Sequence, residues 1–567
     1  MSDHERLAQL CRRIEGRPYP AWRDLLGVWR LGRLRLRVDH IQGDPYAAPS
    51  RVRVRLQPGL SPAICVDDAG RLAAADWLLR RFVSVLDQRR DGGRGAGSGR
   101  SGELDVYRPG PEVLRRTAVH VDVDGTVELR MAVGLPARGR RVLGREGHAL
   151  LVGDLCRAVD ALFLDDDSAG GDARAALQRH VDSVRLQRAL RDQLDAWGLV
   201  AFVADGSVLP RQSGVATGPL AGAVPVHAPD SLAVVLDSPA GPVRGLGIPR
   251  GITVITGGGF HGKSTLLQAL SWGHLDHVPG DGRERVVALP DTVAVRAEDG
   301  RAVAGVDVSA FLSRLPGDID THGFSTADAS GSTSQAAAIV EAAEAGARLL
   351  LLDEDSSATN LLVRDARMRA LIPRAHEPIT PLVERVRQLR DDWGLSLVLV
   401  VGGVGDFLSV ADRVIGLMDW RVRDLGPDVA ALSLPAPAPP GALPPRRQRR
   451  VVGASLRSGR GRVRSRSRRR VEHDGEEVDL AAITQVIDAA HARSLGHGLR
   501  VLGQLVGDEL VPMSELLDRF ERAQAEQGPE LLSPWDTPVG DQQVLRRQDL
   551  AATLNRLRSL RVEPDIG

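Results

Sequence analysis

The stretch Ile252-Thr253-Val254-Ile255-Thr256 runs into Gly257-Gly258-Gly259-Phe260-His261-Gly262-Lys263-Ser264-Thr265 and then Leu266-Leu267-Gln268-Ala269-Leu270. The β-branched run reads as a strand and the closing residues as a helix start. Between them stands G-x-x-x-x-G-K-S in the context a phosphate loop requires. Its glycines let backbone N–H groups turn inward on phosphate oxygens, and the following helix N-terminus favours negative charge. Lys263 would reach the β- and γ-phosphates, Ser264 would ligate Mg²⁺, and His261 shapes the loop beside the phosphates.

Composition sharpens this reading. The chain has 567 residues with 74 Lys+Arg against 73 Asp+Glu, yet Lys263 is its single lysine. Under an even bias toward arginine, the survivor would fall on this position one time in 74. A planar guanidinium fits poorly inside a closed ring of backbone donors, so lysine is retained where the chemistry needs a compact cation. The hydrophobic content of 43% supports folded cores. No apolar run approaches the roughly 20 residues that span a bilayer, and the charged start Met-Ser-Asp-His-Glu-Arg is unlike a secretory leader. Cys11, Cys65 and Cys156 are too scattered for a zinc or disulfide framework. A soluble, cytoplasmic protein is expected.

Working outward, Leu349-Leu350-Leu351-Leu352 followed by Asp353-Glu354-Asp355 reads as a buried parallel strand ending in acids. Such ends lie on the ligand side of α/β sheets. Asp353 suits the Mg²⁺ shell and Glu354 the activation of water, with Asp355 as a helix cap or outer metal partner. Upstream, Ala329-Ser330-Gly331-Ser332-Thr333-Ser334-Gln335 opens an apolar helix and offers Ser330, Gly331 and Ser332 as a second anion-binding turn.

The organisation that follows is an N-terminal α+β domain over residues 1–230, a P-loop α/β domain with a parallel sheet over 231–434, a Pro-rich then Arg-rich linker over 435–470, and a small helical domain over 471–567. In the first, Leu31–Val38 and Arg51–Leu56 alternate arginine with Leu/Val, as half-exposed strands do. Gly92–Gly102 is a glycine-rich loop. Arg446–Arg470 holds twelve arginines and no acid, leaving 62 basic against 73 acidic residues elsewhere, and reads as an unstructured segment. In the last domain Asp479 is placed to cap a helix through Leu480, Ile483, Val486, Ile487 and Ala490, with Gly496 as its stop.

With these residues in view the chain resembles the ABC-type ATPases. Ser330-Gly331-Ser332 is similar to their signature loop, and Ser357-Ala358-Thr359-Asn360 to their D-loop. More closely it resembles the family of predicted ATPases of the ABC class. The resemblance is carried by the phosphate loop, Glu298-Asp299-Gly300-Arg301, Ala329–Ala336, Asp353–Asp365, Glu377–Pro381 and Gly402–Asp406. Further matches lie at Gln42-Gly43-Asp44-Pro45, Leu135–Arg140 and Leu209–Gly214.

The resemblance implies ATP and Mg²⁺ as ligands. It also implies a head-to-tail homodimer in which each signature loop covers the phosphates held by the other copy. Three departures from transport-type domains stand out. No aromatic lies between Pro229 and Thr256, Glu298 rather than glutamine stands near the Q-loop, and Gly402-Gly403 occupies the place of a switch histidine. Slow hydrolysis is therefore expected.

The arginine-rich segment would bind RNA or another nucleic acid through its phosphates, with strong salt dependence. Two other readings remain open: an adaptor that uses ATP as a clamp with little turnover, and a P-loop small-molecule kinase with Arg364 and Arg367 as lid arginines.

Overall fold

The computed structural model describes residues 2–91, 97–164, 170–213, 217–315, 317, 319–438, 440–457 and 462–564. Two compact units divide the chain: Met1–Arg185 with Ser533–Val544, and Leu186–Leu532 with Leu545–Gly567. Residues 92–96 of the glycine-rich loop and Gly214 lie outside the described residues, as do 458–461 of the arginine-rich segment.

The first unit is built on an antiparallel sheet in the order Gly27–Leu31, Leu34–His40, Ser50–Leu56, Val127–Val133, Leu104–Asp105, with Val119–Val121 also paired to Val127–Val133. The expected alternation is present. Leu36, Val38, Val52 and Val54 are buried, while Arg35 and Arg37 face out. Asp39 accepts Arg53 Nε at 2.6 Å across the strands. Buried Asp76 is held by Arg80 (2.6 Å), Arg116 (3.0 Å) and His180 (3.1 Å). Although burial pushes the Asp76 carboxyl up, these partners outweigh it and bring it down to about 2. Residues 533–544 belong to this unit, where Gln542 and Thr117 exchange hydrogen bonds of 2.9 and 3.0 Å. The sequence places them in the C-terminal domain instead.

The second unit contains a six-stranded sheet. Its strands are β1 (Ile252–Gly257), β2 (Thr292–Val295), β3 (Leu349–Asp353), β4 (Ser396–Val400), β5 (Arg413–Met418) and β6 (Arg421–Asp424). Their spatial order is β2-β3-β4-β1-β5-β6, parallel throughout except for the β5–β6 hairpin. This is the α/β arrangement expected from the phosphate loop. The apolar strand Leu349–Leu352 is buried on both faces: Leu350 and Leu352 enter one core with Val254, Leu397 and Leu399, and Leu349 and Leu351 enter the other with Ile255, Val398 and Val400. A second, antiparallel sheet includes Leu199–Ala204, so the unit begins well before residue 231.

The arginine-rich segment is structured where it is described. It forms β7 (Arg449–Val452), β8 (Val463–Ser467) and the start of β9 (Arg470–His473), followed by β10 (Glu476–Asp479). The expectation of an unstructured linker fails at β7 because Arg449 finds partners distant in sequence, and at β8 and β9 because Val463 and Val471 pack on Gly496. Arg449 is buried and bonds Glu344 through Nε (2.9 Å) and its backbone N–H (2.8 Å), together with Asn555 (2.8 Å) and the Ala304 carbonyl (2.8 Å).

The C-terminal region is mixed rather than purely helical. Asp479 ends a strand, and the helix begins at Ala489 with Asp488 capping His491 N–H (2.7 Å), then runs through Gly496 to Val506. Gly496 is mid-helix because a Cβ there would stand 2.6 Å from Val463 and 2.7 Å from Val471, so the helix packs directly on the β8–β9 hairpin. Among the described residues, no helix is long and apolar enough to cross a membrane.

Candidate functional site

The phosphate loop follows β1 and leads into α1 (Lys263–Trp272). Gly257 has φ 141°, and a Cβ on it would meet the Leu417 carbonyl oxygen of neighbouring β5 at 2.1 Å, so the turn out of the sheet admits only glycine. Gly262, at φ 93°, opens the helix. Lys263 Nζ donates to the carbonyls of Gly257 (2.9 Å) and Gly258 (2.8 Å), which closes the loop around its own cation. The remaining loop residues Gly259, Phe260 and His261 form the outward bend, and Ser264 and Thr265 begin the helix. Phe260 takes φ 62° and is 100% exposed.

One contributor was not legible in the sequence. Trp420, in the β5–β6 turn with φ 60°, donates its indole N–H to the Phe260 carbonyl at 3.1 Å and lies 6.1 Å from the His261 ring. Nothing in the local sequence marks it, because its place depends on the pairing of β5 with β1.

At the end of β3, Asp353 Oδ1 accepts the Asp355 N–H (3.3 Å). Glu354 Oε2 accepts three successive backbone N–H groups, from Gly402 (2.7 Å), Gly403 (3.0 Å) and Val404 (3.4 Å). A Cβ on Gly402 would lie 4.0 Å from Lys263 Nζ, and one on Gly403 would lie 3.2 Å from Glu354 Oε1. The Gly402-Gly403 turn thus brings the phosphate-loop lysine and the Glu354 carboxylate to one place. The Gly402-Gly403 turn presents backbone amides to Glu354.

Ser264 and Asp353 line a common cavity of about 670 Å³, with Gln268, Arg296, Asp355, Arg468 and Arg469 among its other walls. Ser330, Gly331 and Ser332 are not among the residues lining it. They stand at the start of α2 (Gly331–Glu344), where Ser330 Oγ lies 3.1 Å from Thr333 Oγ1 and 3.4 Å from Ser332 Oγ. Fully buried Gln335 ties that helix to the segment after Glu354, donating to Ser357 Oγ (2.8 Å) and accepting Ala358 N–H (2.8 Å). Glu298 pairs with Arg556 (2.8 Å) and does not line the cavity, and Arg296 stands there instead.

Three family models match successive parts of the chain. Residues 4–165 match the N-terminal domain of the ATPases of the ABC class, residues 173–439 the P-loop domain of ABC ATPases, and residues 462–563 the MRB1590 C-terminal domain. The chain is 33% identical over 250 residues to the uncharacterized protein MJ1628 of Methanocaldococcus jannaschii, covering 42% of this chain and 54% of that one. It is 29% identical over 140 residues to the molybdenum import ATP-binding protein ModC of Rhizobium meliloti, covering 25% and 32%. The chain thus spans about half the length of the first of these relatives and a third of the second. Among solved structures, cbiO1 from Clostridium perfringens, part of the ABC transporter complex cbiONQ, is 15% identical with a TM-score of 0.25, covering 42% of this chain and 92% of that one. With an N-terminal domain, a P-loop domain and a C-terminal domain matched in order, the chain belongs to the family of ABC-class ATPases.

Proposed function

We propose that the chain binds and slowly hydrolyses ATP, forms a homodimer around the nucleotide, and couples that cycle to RNA or another nucleic acid. The observation that carries the hydrolytic reading is the convergence of Lys263, Glu354 and the Gly402-Gly403 turn. Glu354 spends Oε2 on the amides and leaves Oε1 to take a proton from water. A base fixed by backbone donors keeps its orientation without help from a flexible side chain. Lacking an imidazole, the turn has no second group to hold the γ-phosphate, and slow turnover follows.

The donor set fits a divalent cation, because the Ser264 hydroxyl and Asp353 carboxylate are hard oxygen ligands lining one cavity. Mg²⁺ held by these two residues would neutralise charge on the phosphates. Lys263 would exchange its carbonyl partners for phosphate oxygens, and the Gly257–Thr265 amides would cradle them.

The dimer rests on the family resemblance, in which a second copy brings its signature turn over the phosphates; Ser330, Gly331 and Ser332 stand at the start of α2. The nucleic-acid reading is supported by the exposed arginines of the β8–β9 hairpin. Arg464, Arg466, Arg468 and Arg469 have no ion-pair partner among the described residues, whereas buried Arg449 is committed to Glu344. Arg364, one of the two lid candidates of the kinase reading with Arg367, is engaged by the Ile372 carbonyl at 2.7 Å, which counts against its acting as a lid.

Phosphate release by wild type and Glu354→Gln, with and without RNA across salt concentrations, tests the whole reading. RNA binding that tolerates neutralising Arg464 and Arg466 would remove the hairpin from it. Good ATP binding with no release from wild type would leave the clamp.

A further inference from the structure

The cavity that holds Ser264 and Asp353 has a wall the phosphate loop does not explain. Arg468 and Arg469, the two turn residues between β8 and β9, line it together with Arg296, which follows β2. None of the three side chains has a hydrogen bond or ion pair among the described residues. The acids in the same wall are Asp353 and Asp355. Three arginines and two acids, one of them the candidate metal ligand, thus line one cavity.

The turn is held in place by its backbone. The Arg469 carbonyl accepts Leu480 N–H at 2.7 Å, and buried Leu480 lines the same cavity. Ser465 Oγ donates to the carbonyls of Ser467 (2.8 Å) and Arg470 (2.9 Å), and Arg469 N–H donates to Ser467 Oγ (3.3 Å). On the other side, Val463 and Val471 pack against Gly496. A cluster of unpaired guanidiniums on a braced turn, beside a hydroxyl and a carboxylate suited to a metal, is complementary to a polyphosphate.

We propose that Arg468 and Arg469 are nucleotide-binding residues, an arm of the C-terminal domain that engages the terminal phosphates of the triphosphate bound in the same chain. This rests on nucleotide occupying the phosphate loop and on nothing about nucleic acid. Arginine's planar fork grips phosphate oxygens bidentately, and loss of such charge-assisted bonds weakens binding by roughly tenfold or more. Contact with the terminal phosphates would make the arm discriminate ATP from ADP.

The test measures affinity for ATP and ADP, and steady-state hydrolysis, in the full chain with Arg468→Ala/Arg469→Ala. Arg522→Ala/Arg561→Ala, exposed elsewhere in the C-terminal region, is the control for charge alone, and Lys263→Ala reports on the phosphate loop. The expected result is ATP affinity lowered roughly tenfold or more, ADP affinity changed less, and partial rescue by Arg468→Lys/Arg469→Lys, with an unchanged melting temperature. The Arg522/Arg561 variant keeps wild-type ATP affinity. The proposal is overturned if the Arg468/Arg469 variant binds ATP and ADP within twofold of wild type, or if the control variant loses ATP affinity equally. Lys263→Ala weakening ATP while the arginine variants do not would leave the phosphate loop intact and remove only the arm.

Discussion

The backbone N–H of Gly402 donates to Glu354 Oε2 at 2.7 Å, and the next two amides donate to the same oxygen. A carboxylate at the end of β3 is thereby fixed by a turn that follows β4, 48 residues later in sequence. The parallel register of those strands makes this possible, because Asp353 lies opposite Val400.

That relationship gives a first prediction. Gly403→Ala places a methyl 3.2 Å from Glu354 Oε1 and displaces the carboxylate. Hydrolysis is expected to fall about tenfold while ATP affinity stays within twofold, since misplacing a reacting group costs rate more than ground-state binding. Parallel measurements of kcat and ATP Kd decide it. A loss confined to Kd would mean that the turn serves nucleotide binding instead.

Lys263→Ala removes the cation that bonds the Gly257 and Gly258 carbonyls. ATP affinity should drop roughly tenfold to a hundredfold, the value of a charge-assisted bond. Titration calorimetry reads this directly, and Lys263→Arg should recover little of it because a guanidinium does not fit the closed loop.

Arg449→Ala leaves Glu344 buried without its partner. Breaking such a pair costs about 3–5 kcal/mol. Urea unfolding should show that loss in the P-loop and C-terminal unit, and the double change Arg449→Met/Glu344→Leu should recover most of it.

Burial pushes the His497 imidazole down to about 3, with Arg500, Arg493 and His473 adding repulsion. The unfolded chain takes up a proton near pH 6.5, while the folded chain resists until about pH 3. Stability contributed by the neutral ring is therefore complete above 6.5 and declines below it, by about 1.4 kcal/mol per pH unit. Urea midpoints at pH 7.5 and 5.5 should show the decline, and His497→Gln should flatten it. An equal slope in the variant would exclude His497 as a source.

The parts of the molecule legible in the sequence are those whose partners are near in sequence or whose pattern is periodic. The phosphate loop follows its strand immediately, and Leu349–Leu352 announces a strand buried on both faces. The β8–β9 hairpin was not legible, because composition measures charge and says nothing of Gly496 giving Val463 and Val471 a surface to pack on. Nor was β7, whose Arg449 meets Glu344 from 105 residues away. Trp420 escaped for the same reason, since its contact with Phe260 spans 160 residues.

In the proposed hydrolysis, Glu354 is the base that activates water. The most direct measurement is single-turnover phosphate release by Glu354→Gln with ATP binding confirmed on the same sample. With Glu354 as the base, the variant keeps wild-type ATP affinity and its release is slowed roughly a hundredfold or more. Release at the wild-type rate from a variant that binds ATP normally would contradict it.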